Sequence, residues 1–246
     1  YLIGVASGAG FGATLSLLIF GSSLTLGMFT TVPITAFSVA ILTVGVAYML
    51  AKKQGGTQTN TLILAGVALG SLMSSLTTFL LMTSGKDIRP ILSFLFGSFA
   101  TASWQDVFVV LPYLTVGSMI ILPLSRIMNL LQLDQEQAMQ LGVNTEKTRL
   151  YLLICSSLIT ASAVSVSGVI GFIGLITPHC VRLIWGYDYR TLLPFSVVLG
   201  SIFLIVSDSI ARVALAPQEI PVGVVTALFG SPFFLYILRK RYQAWY

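Results

Sequence analysis

Charge is what this sequence most lacks. Its 246 residues include 13 Lys and Arg, 8 Asp and Glu and one histidine, so that 9% are charged, against about a quarter in soluble globular domains. So few charges cannot cover a water-facing surface, and a soluble domain is excluded. Two cysteines, Cys155 and Cys180, lie inside apolar stretches without paired spacing. That pattern argues against a disulfide framework or a thiolate metal site and leaves buried thiols. The single histidine, His179, has no acidic or cysteine ligand set beside it in sequence, so it reads as a residue that caps or packs a helix rather than a catalytic or metal-holding group. No Gly-x-x-x-x-Gly-Lys-Ser/Thr loop occurs, and the nearest string, from Gly142 to Thr148, lacks the second glycine. ATP hydrolysis is therefore not expected of this chain. The first residue is Tyr1 and no basic leader precedes the apolar run from Leu2. No signal peptide is expected, and the sequence reads as a piece without its natural start.

What is abundant is apolar: 56% of residues are hydrophobic and the mean hydropathy is +0.94. A bilayer helix needs about 20 such residues, and runs of that size recur along the whole chain. Spans are expected at roughly 2–20, 33–51, 61–83, 107–125, 150–167, 174–183, 192–212 and 222–238, with shorter apolar material at 91–101. A barrel would need alternating polarity, so the expected fold is all-α: a polytopic integral-membrane bundle of eight spans in a single domain, 1–246. The basic residues are scattered between the spans, which points to topology rather than to nucleic acid. Ten of them, Lys52, Lys53, Arg126, Lys147, Arg149, Arg182, Arg190, Arg239, Lys240 and Arg241, fall on one side, and three, Lys86, Arg89 and Arg212, on the other. The richer side is the cytoplasmic one by the positive-inside bias, and the C-terminus lies there. Asp106 and Asp208 fall near span ends and Asp87 and Glu219 in outer links, so the mid-membrane ionisable groups of an ion-coupled secondary transporter are not seen.

Arg149 and Arg182 both belong to the cytoplasmic side, yet the uncharged stretch between them is too short for two full crossings and a turn. The second crossing must be short. Gly168, Gly171, Gly174 and Pro178 suit irregular backbone before a half-helix, which survives in a bilayer only when buried in protein or lining a cavity; a tight crossing of small residues is the plainer reading. The segment 127–149 differs from the other links. Leu130, Leu133 or Asp134, Gln137 or Ala138, and Leu141 recur at helical spacing, Gly142 suits the position after a helix end, and Asn144 or Thr145 can cap the next helix. It reads as a docking element for a cytoplasmic partner, or more plainly as a helix resting at the interface. Ser71, Ser74, Ser75 and Thr78 share one face of span 61–83, for lining or for packing. Thr59, Asn60 and Thr61 stand at its cytoplasmic start as candidate gate residues. Arg212, about 36 Å along its helix from Asp188, reaches the outer surface, with Asp208 one turn away to neutralise it.

The stretch from Ser167 to Phe234 carries a pattern: Gly168-Val-Ile-Gly-Phe-Ile-Gly-Leu-Ile-Thr-Pro-His179, Arg182, Gly186-Tyr-Asp-Tyr-Arg190, Leu192-Leu-Pro194, Ser207-Asp208, Ala211-Arg212, Pro217-Gln-Glu-Ile-Pro-Val-Gly223, Thr226-Ala227 and Gly230-Ser-Pro-Phe-Phe234. With Gly4 to Gly10, Leu64 to Ala68, Gly97-Ser98, Trp104 and Leu141 to Asn144, it resembles the ferric-siderophore and cobalamin permease family of type II ABC importers. The resemblance implies helices three to ten of a ten-helix fold in the bacterial cytoplasmic membrane. It implies as partners a second permease subunit, identical or paralogous, two ATP-binding subunits that hold the ATP and magnesium, and an extracytoplasmic substrate-binding protein. Lipid surrounds the bundle; this chain is expected to bind no cofactor, metal or nucleic acid. Gln137, Ala138, Leu141, Gly142 and Val143 would meet the ATPase, Arg212 a carboxylate of the binding protein, and span 61–83 with the last span would line a central channel between two subunits. A ferric siderophore is the expected cargo, with haem or cobalamin next. Asp188-Tyr189-Arg190 and Phe96 depart from the family pattern.

Overall fold

Small residues set where the helices meet. The computed structural model describes residues 4–243 apart from 21–24, 27–28, 54–55, 58, 84–87, 133–134 and 217. The side chains of 25–26, 29–30, 53, 56–57, 59, 135–136, 237–238 and 240–243 also lie outside that description. Lys86, Asp87, Leu133, Asp134, Pro217 and the side chains of Lys53, Thr59, Lys240 and Arg241, named above, therefore fall outside the described residues.

Ten helices follow one another among the described residues: α1 Val5–Phe20, α2 Thr31–Ala51, α3 Thr59–Thr83, α4 Arg89–Phe96, α5 Trp104–Leu130, α6 Gln135–Gln140, α7 Thr145–Ser167, α8 Ile173–Trp185, α9 Tyr189–Val213 and α10 Val222–Gln243. Among the described residues the only other regular structure is two two-residue antiparallel pairs, Thr25–Leu26 with Phe29–Thr30 and Lys52–Lys53 with Gly56–Thr57. The expected all-helical class is observed. By length and composition α2, α3 from Asn60, α5, α7 and α9 are long and apolar enough to cross a membrane, and α1, α8 and α10 to Tyr236 are shorter apolar helices.

The core lies between α1, α2 and α7, where Val5, Ala9, Ala13, Ala36, Ala40, Val44 and Ala161 are buried together. Lipid tails are as apolar as leucine, so close packing rather than water exclusion holds such helices together, and small side chains allow it. At Gly8 a Cβ would lie 2.5 Å from Thr43 Oγ1, and at Gly12 2.5 Å from the Thr35 carbonyl; any side chain there would push α1 off α2. Ser16 Oγ donates to Thr31 Oγ1 (3.0 Å) at the other end of the same contact. Large side chains stay outside: Phe108, Met119, Val197 and Ile205 are exposed.

The 91–101 material, left unassigned by the apolar pattern, is the separate helix α4, which starts at Arg89 with Pro90 in its first turn and ends at Gly97 with φ 71°. The helical spacing from Leu130 to Leu141 crosses two elements. Leu130 is the last residue of α5, and α6 is a separate six-residue helix. Periodicity carried across the break because a run-on helix and a short helix in similar register look alike in sequence.

Candidate functional site

Three places carry the sequence-predicted residues. The first is the end of the bundle that bears α6. Gly142, at φ 80°, ends α6 in a left-handed turn, with Gly142 N–H donating to Met139 O (2.9 Å) and Val143 N–H to Ala138 O (3.1 Å). These two bonds satisfy carbonyls that a helix end otherwise leaves open, the Schellman arrangement that the glycine position implied. Asn144 then caps α7, its Oδ1 accepting from Lys147 N at 3.0 Å. Ala138 is fully buried while Met139 and Leu141 are 52% and 61% exposed, so one side of the tip is anchored and the other offers apolar surface. Gln137 is exposed and Val143 half-buried.

Beside it is a contact that the sequence pattern did not reveal. Asn129 Nδ2, in the last turn of α5, donates to Asp188 Oδ1 (2.6 Å), and Asn129 Oδ1 accepts from Tyr189 N (2.9 Å). Gln132 Nε2 donates to the Tyr187 carbonyl (3.2 Å) and to Asn129 Oδ1 (3.3 Å). Asp188 also caps α9 by accepting from Arg190 N (2.9 Å). The Arg190 N–H and then the Asn129 amide hold its carboxyl below the usual carboxylate range. The partners stand 59 and 60 residues apart, beyond the reach of any local rule; the only signal was the departure at Asp188-Tyr189-Arg190.

The second place is a cleft of about 660 Å³ bounded by Gly4, Ala6 and Ser7 of the α1 end, Gly66, Gly70, Ser71, Ser74, Thr77 and Thr78 of α3, and Leu95 and Val169. Ser71, Ser74 and Thr78 are brought together there as the helical spacing required. Ser75 is exposed but does not line the cleft, because it lies one position further round α3. Thr78 Oγ1 bonds back to the Ser74 carbonyl (3.0 Å), so it needs no partner from another helix. Ser7, which the sequence reading did not single out, donates to Gly4 O (3.1 Å) on the facing wall. Asn60 is exposed and Thr61 half-buried at the start of α3, away from the cleft. Asn60 and Thr78 are about five helical turns apart and so share a face.

The third place is the opposite end, where α7 stops. Gly168, at φ 70°, ends α7, and α8, only 13 residues long, measures about 20 Å, short of the roughly 30 Å apolar thickness of a bilayer. The backbone between them is tied to α4 and the residues after it by Val169 N–H to Phe94 O (3.0 Å) and Ser98 N–H to Ser167 O (2.9 Å). That supplies the internal partners such backbone needs. A Cβ at Gly168 would run into the Phe94 carbonyl, so the chain passes close to the end of α4 there. Gly171 and Gly174 have open space at the Cβ position. Gly174 and Pro178 fall inside α8 rather than in the irregular stretch. The proline removes a hydrogen bond to the Gly174 carbonyl, a loss the helix accommodates without breaking. Phe172, with φ 67°, is the one described non-glycine residue in the left-handed region; it starts α8 against Gly230 of α10, where a Cβ would lie 2.6 Å from its own.

Arg212 stands at this end too, as its distance along α9 required. Its Nε donates to Asp208 Oδ2 (2.8 Å), its Nη2 to the Phe99 carbonyl (3.3 Å), and Nη1 lies 4.0 Å from Glu219 Oε1. The neutralising partner foreseen at Asp208 is present, and the side chain remains 43% exposed, with guanidinium N–H groups to spare.

A model of the FecCD transport family matches residues 1–240. The cobalamin import system permease protein of Halobacterium salinarum is 43% identical over 240 residues, 98% of this chain and 63% of that protein. The iron(3+)-hydroxamate import system permease protein of Bacillus subtilis is 35% identical over 243 residues, 97% of this chain and 72% of that protein. An inward-facing conformation of a metal-chelate type ABC transporter superposes with a TM-score of 0.88 at 32% identity, over 98% of this chain and 75% of that one. The chain thus spans less than two thirds of the length of the cobalamin permease.

Proposed function

The chain belongs to the FecCD transport family, and on that premise we propose that it is the membrane-spanning permease subunit of an ATP-driven importer of metal chelates. The observation that carries the proposal is the family match over nearly the whole chain, combined with an α6 tip that is anchored at Ala138 and open at Leu141. An importer whose ATPase is a separate chain needs a surface of that kind to receive movement. Eight crossings, α1 to α3, α5 and α7 to α10, put α6, Arg126, Lys147, Arg149, Arg182, Arg190 and the C-terminus on the cytoplasmic side of the cell membrane. The partners are a second permease subunit, two ATP-binding subunits holding ATP and magnesium, and an extracytoplasmic binding protein.

In this reading Gln137, Ala138, Leu141, Gly142 and Val143 form the coupling element, and Arg212 meets a carboxylate of the binding protein with its uncommitted N–H groups. Ser71, Ser74 and Thr78 face a pathway between two subunits, which the last helix also lines, and Thr59, Asn60 and Thr61 gate its inner end. The lining of the cleft is hydroxyl, glycine and apolar, without a charged side chain. Such a wall holds a bulky chelate weakly and lets it leave. A ferric siderophore is the first cargo to test. The 43% identity to a cobalamin permease supports cobalamin as the second.

The test pairs this permease with an ABC ATPase and a chelate-binding protein from the same organism, in proteoliposomes. Cysteines placed at 138 to 143 are expected to cross-link to the ATPase, and a panel of ferric chelates and cobalamin to show ATP-dependent uptake of one of them. Absence of any cross-link, with no ATP-dependent uptake, overturns the reading.

A further inference from the structure

The Asn129 side chain cannot be turned round in its site. Its oxygen faces a backbone N–H and its nitrogen faces a carboxylate, so a flip would set donor against donor and acceptor against acceptor. The contact is thus specified in both directions. It joins the end of α5, from which α6 hangs after four residues (131–134), to the start of α9. Among the described residues the one further side-chain hydrogen bond between the two ends is Gln132 Nε2 to the Tyr187 carbonyl (3.2 Å), from a residue beyond the end of α5. A movement received at α6 would otherwise be taken up by bending of the residues between α5 and α6. Helix α9, in contrast, stays helical for 25 residues with Pro194 in its second turn, about 37 Å, to the end where Arg212 binds the Phe99 carbonyl.

We propose that Asn129 is a positioning residue for energy coupling: by fixing the end of α5 to Asp188 and Tyr189, it makes α6 and α9 move as one body, so that displacement at α6 reaches the opposite end of the bundle. The proposal rests on the reading of α6 as the surface that meets the ATPase. A rigid element that changes position as a unit is what transmission over such a distance requires.

The experiment uses the assembled importer in proteoliposomes and measures cargo transported per ATP hydrolysed. Asn129→Asp sets a second carboxylate against Asp188 and is expected to lower that ratio about tenfold while ATP hydrolysis stays within about twofold. Asp188→Asn leaves an oxygen to accept from the Asn129 amide and from Arg190 N, and is expected to keep nearly the whole ratio. The double variant N129D/D188N exchanges donor and acceptor across the same contact and is expected to recover at least about half of what N129D loses. A role confined to folding would change the amount of importer, not the ratio. Should N129D fail to assemble, Asn129→Ala serves for the same ratio without the added charge. A ratio unchanged in N129D or N129A, or no recovery in the double variant, overturns the proposal. Cross-linking from Leu141→Cys to the ATPase separates the two readings. If the cross-link forms in N129D and the ratio is unchanged, the clasp fails and the α6 reading stands; if it never forms with Asn129 intact, the α6 reading fails and takes the proposal with it.

Discussion

Helices α3 and α5 are almost equally exposed, with 11% and 6% of their apolar windows buried, yet they show different chemistry to their surroundings. Along α5 the exposed positions include Phe108, Leu111, Val116, Met119 and Leu122. Along α3 the exposed surface includes a strip of hydroxyls, Ser71, Ser74, Ser75 and Thr78, beside an apolar strip containing Phe79 and Met82. Hydrophobicity alone does not separate inside from outside in a bilayer, since both are apolar. The difference between these two helices does: large apolar side chains suit lipid, and repeated small hydroxyls suit a surface that meets water or cargo.

The strongest way to break the comparison is to treat a buried small residue as though it faced lipid. Gly168→Val adds a side chain against the Phe94 carbonyl at a residue with φ 70°, where strain and overpacking together cost about 3 kcal/mol or more. Unfolding in detergent, followed by tryptophan fluorescence, should show a large loss of stability. A variant as stable as the parent would mean that the junction of α4, α7 and α8 is looser than described.

A smaller effect, on transport alone, separates the two exposed helices directly. Ser74→Trp puts an indole into the cleft and is expected to reduce uptake about tenfold, whereas Met119→Trp on α5, facing lipid, leaves uptake within about twofold. Equal losses from the two would erase the distinction between the helices.

The smallest expected effect concerns pH at the tethered end of α5. The folded-state pKa of Asp188 is depressed, so what its ionised form contributes is present above the ordinary carboxylate value of about 3.9 and is lost only as pH falls through the depressed value. Between about pH 5 and 8 the difference in thermal stability between the parent and Asp188→Asn should therefore stay constant. A difference that changes steeply within that window would show that Asp188 is not held in its ionised form by the clasp.

Local chemistry made much of this fold legible in the sequence. Apolar runs located the helices α1 to α3, α5 and α7 to α10, of which α2, α3, α5, α7 and α9 are long and apolar enough to cross a membrane. Gly142 and Asn144 announced a helix end and a helix start because caps depend on residues three or four apart. The shortness of α8 followed from the spacing of Arg149 and Arg182. Contacts between distant residues were not legible. Asn129 resembles any polar residue at a helix end until Asp188 is brought to it, and Gly8 and Gly12 show their purpose only against Thr43 and Thr35. The run of α5 to Leu130 was missed because Arg126 marks the edge of the apolar run and Leu130 also fits the helical spacing toward Leu141, although a helix can carry a charged residue once it leaves the apolar layer. For the pathway, helical spacing placed Ser71, Ser74 and Thr78 on one face correctly but could not tell which of the four hydroxyls the wall of α1 would stand against.

The most direct measurement is thiol labelling of single-cysteine variants in the assembled, membrane-embedded importer with a membrane-impermeant, water-soluble reagent. Reaction is expected at positions 71, 74 and 78 of α3, with block of chelate uptake by bulky adducts and protection by cargo, and no reaction at positions 108, 116 and 119 of α5. Labelling of the α5 positions, or of neither helix while uptake proceeds, would contradict that expectation.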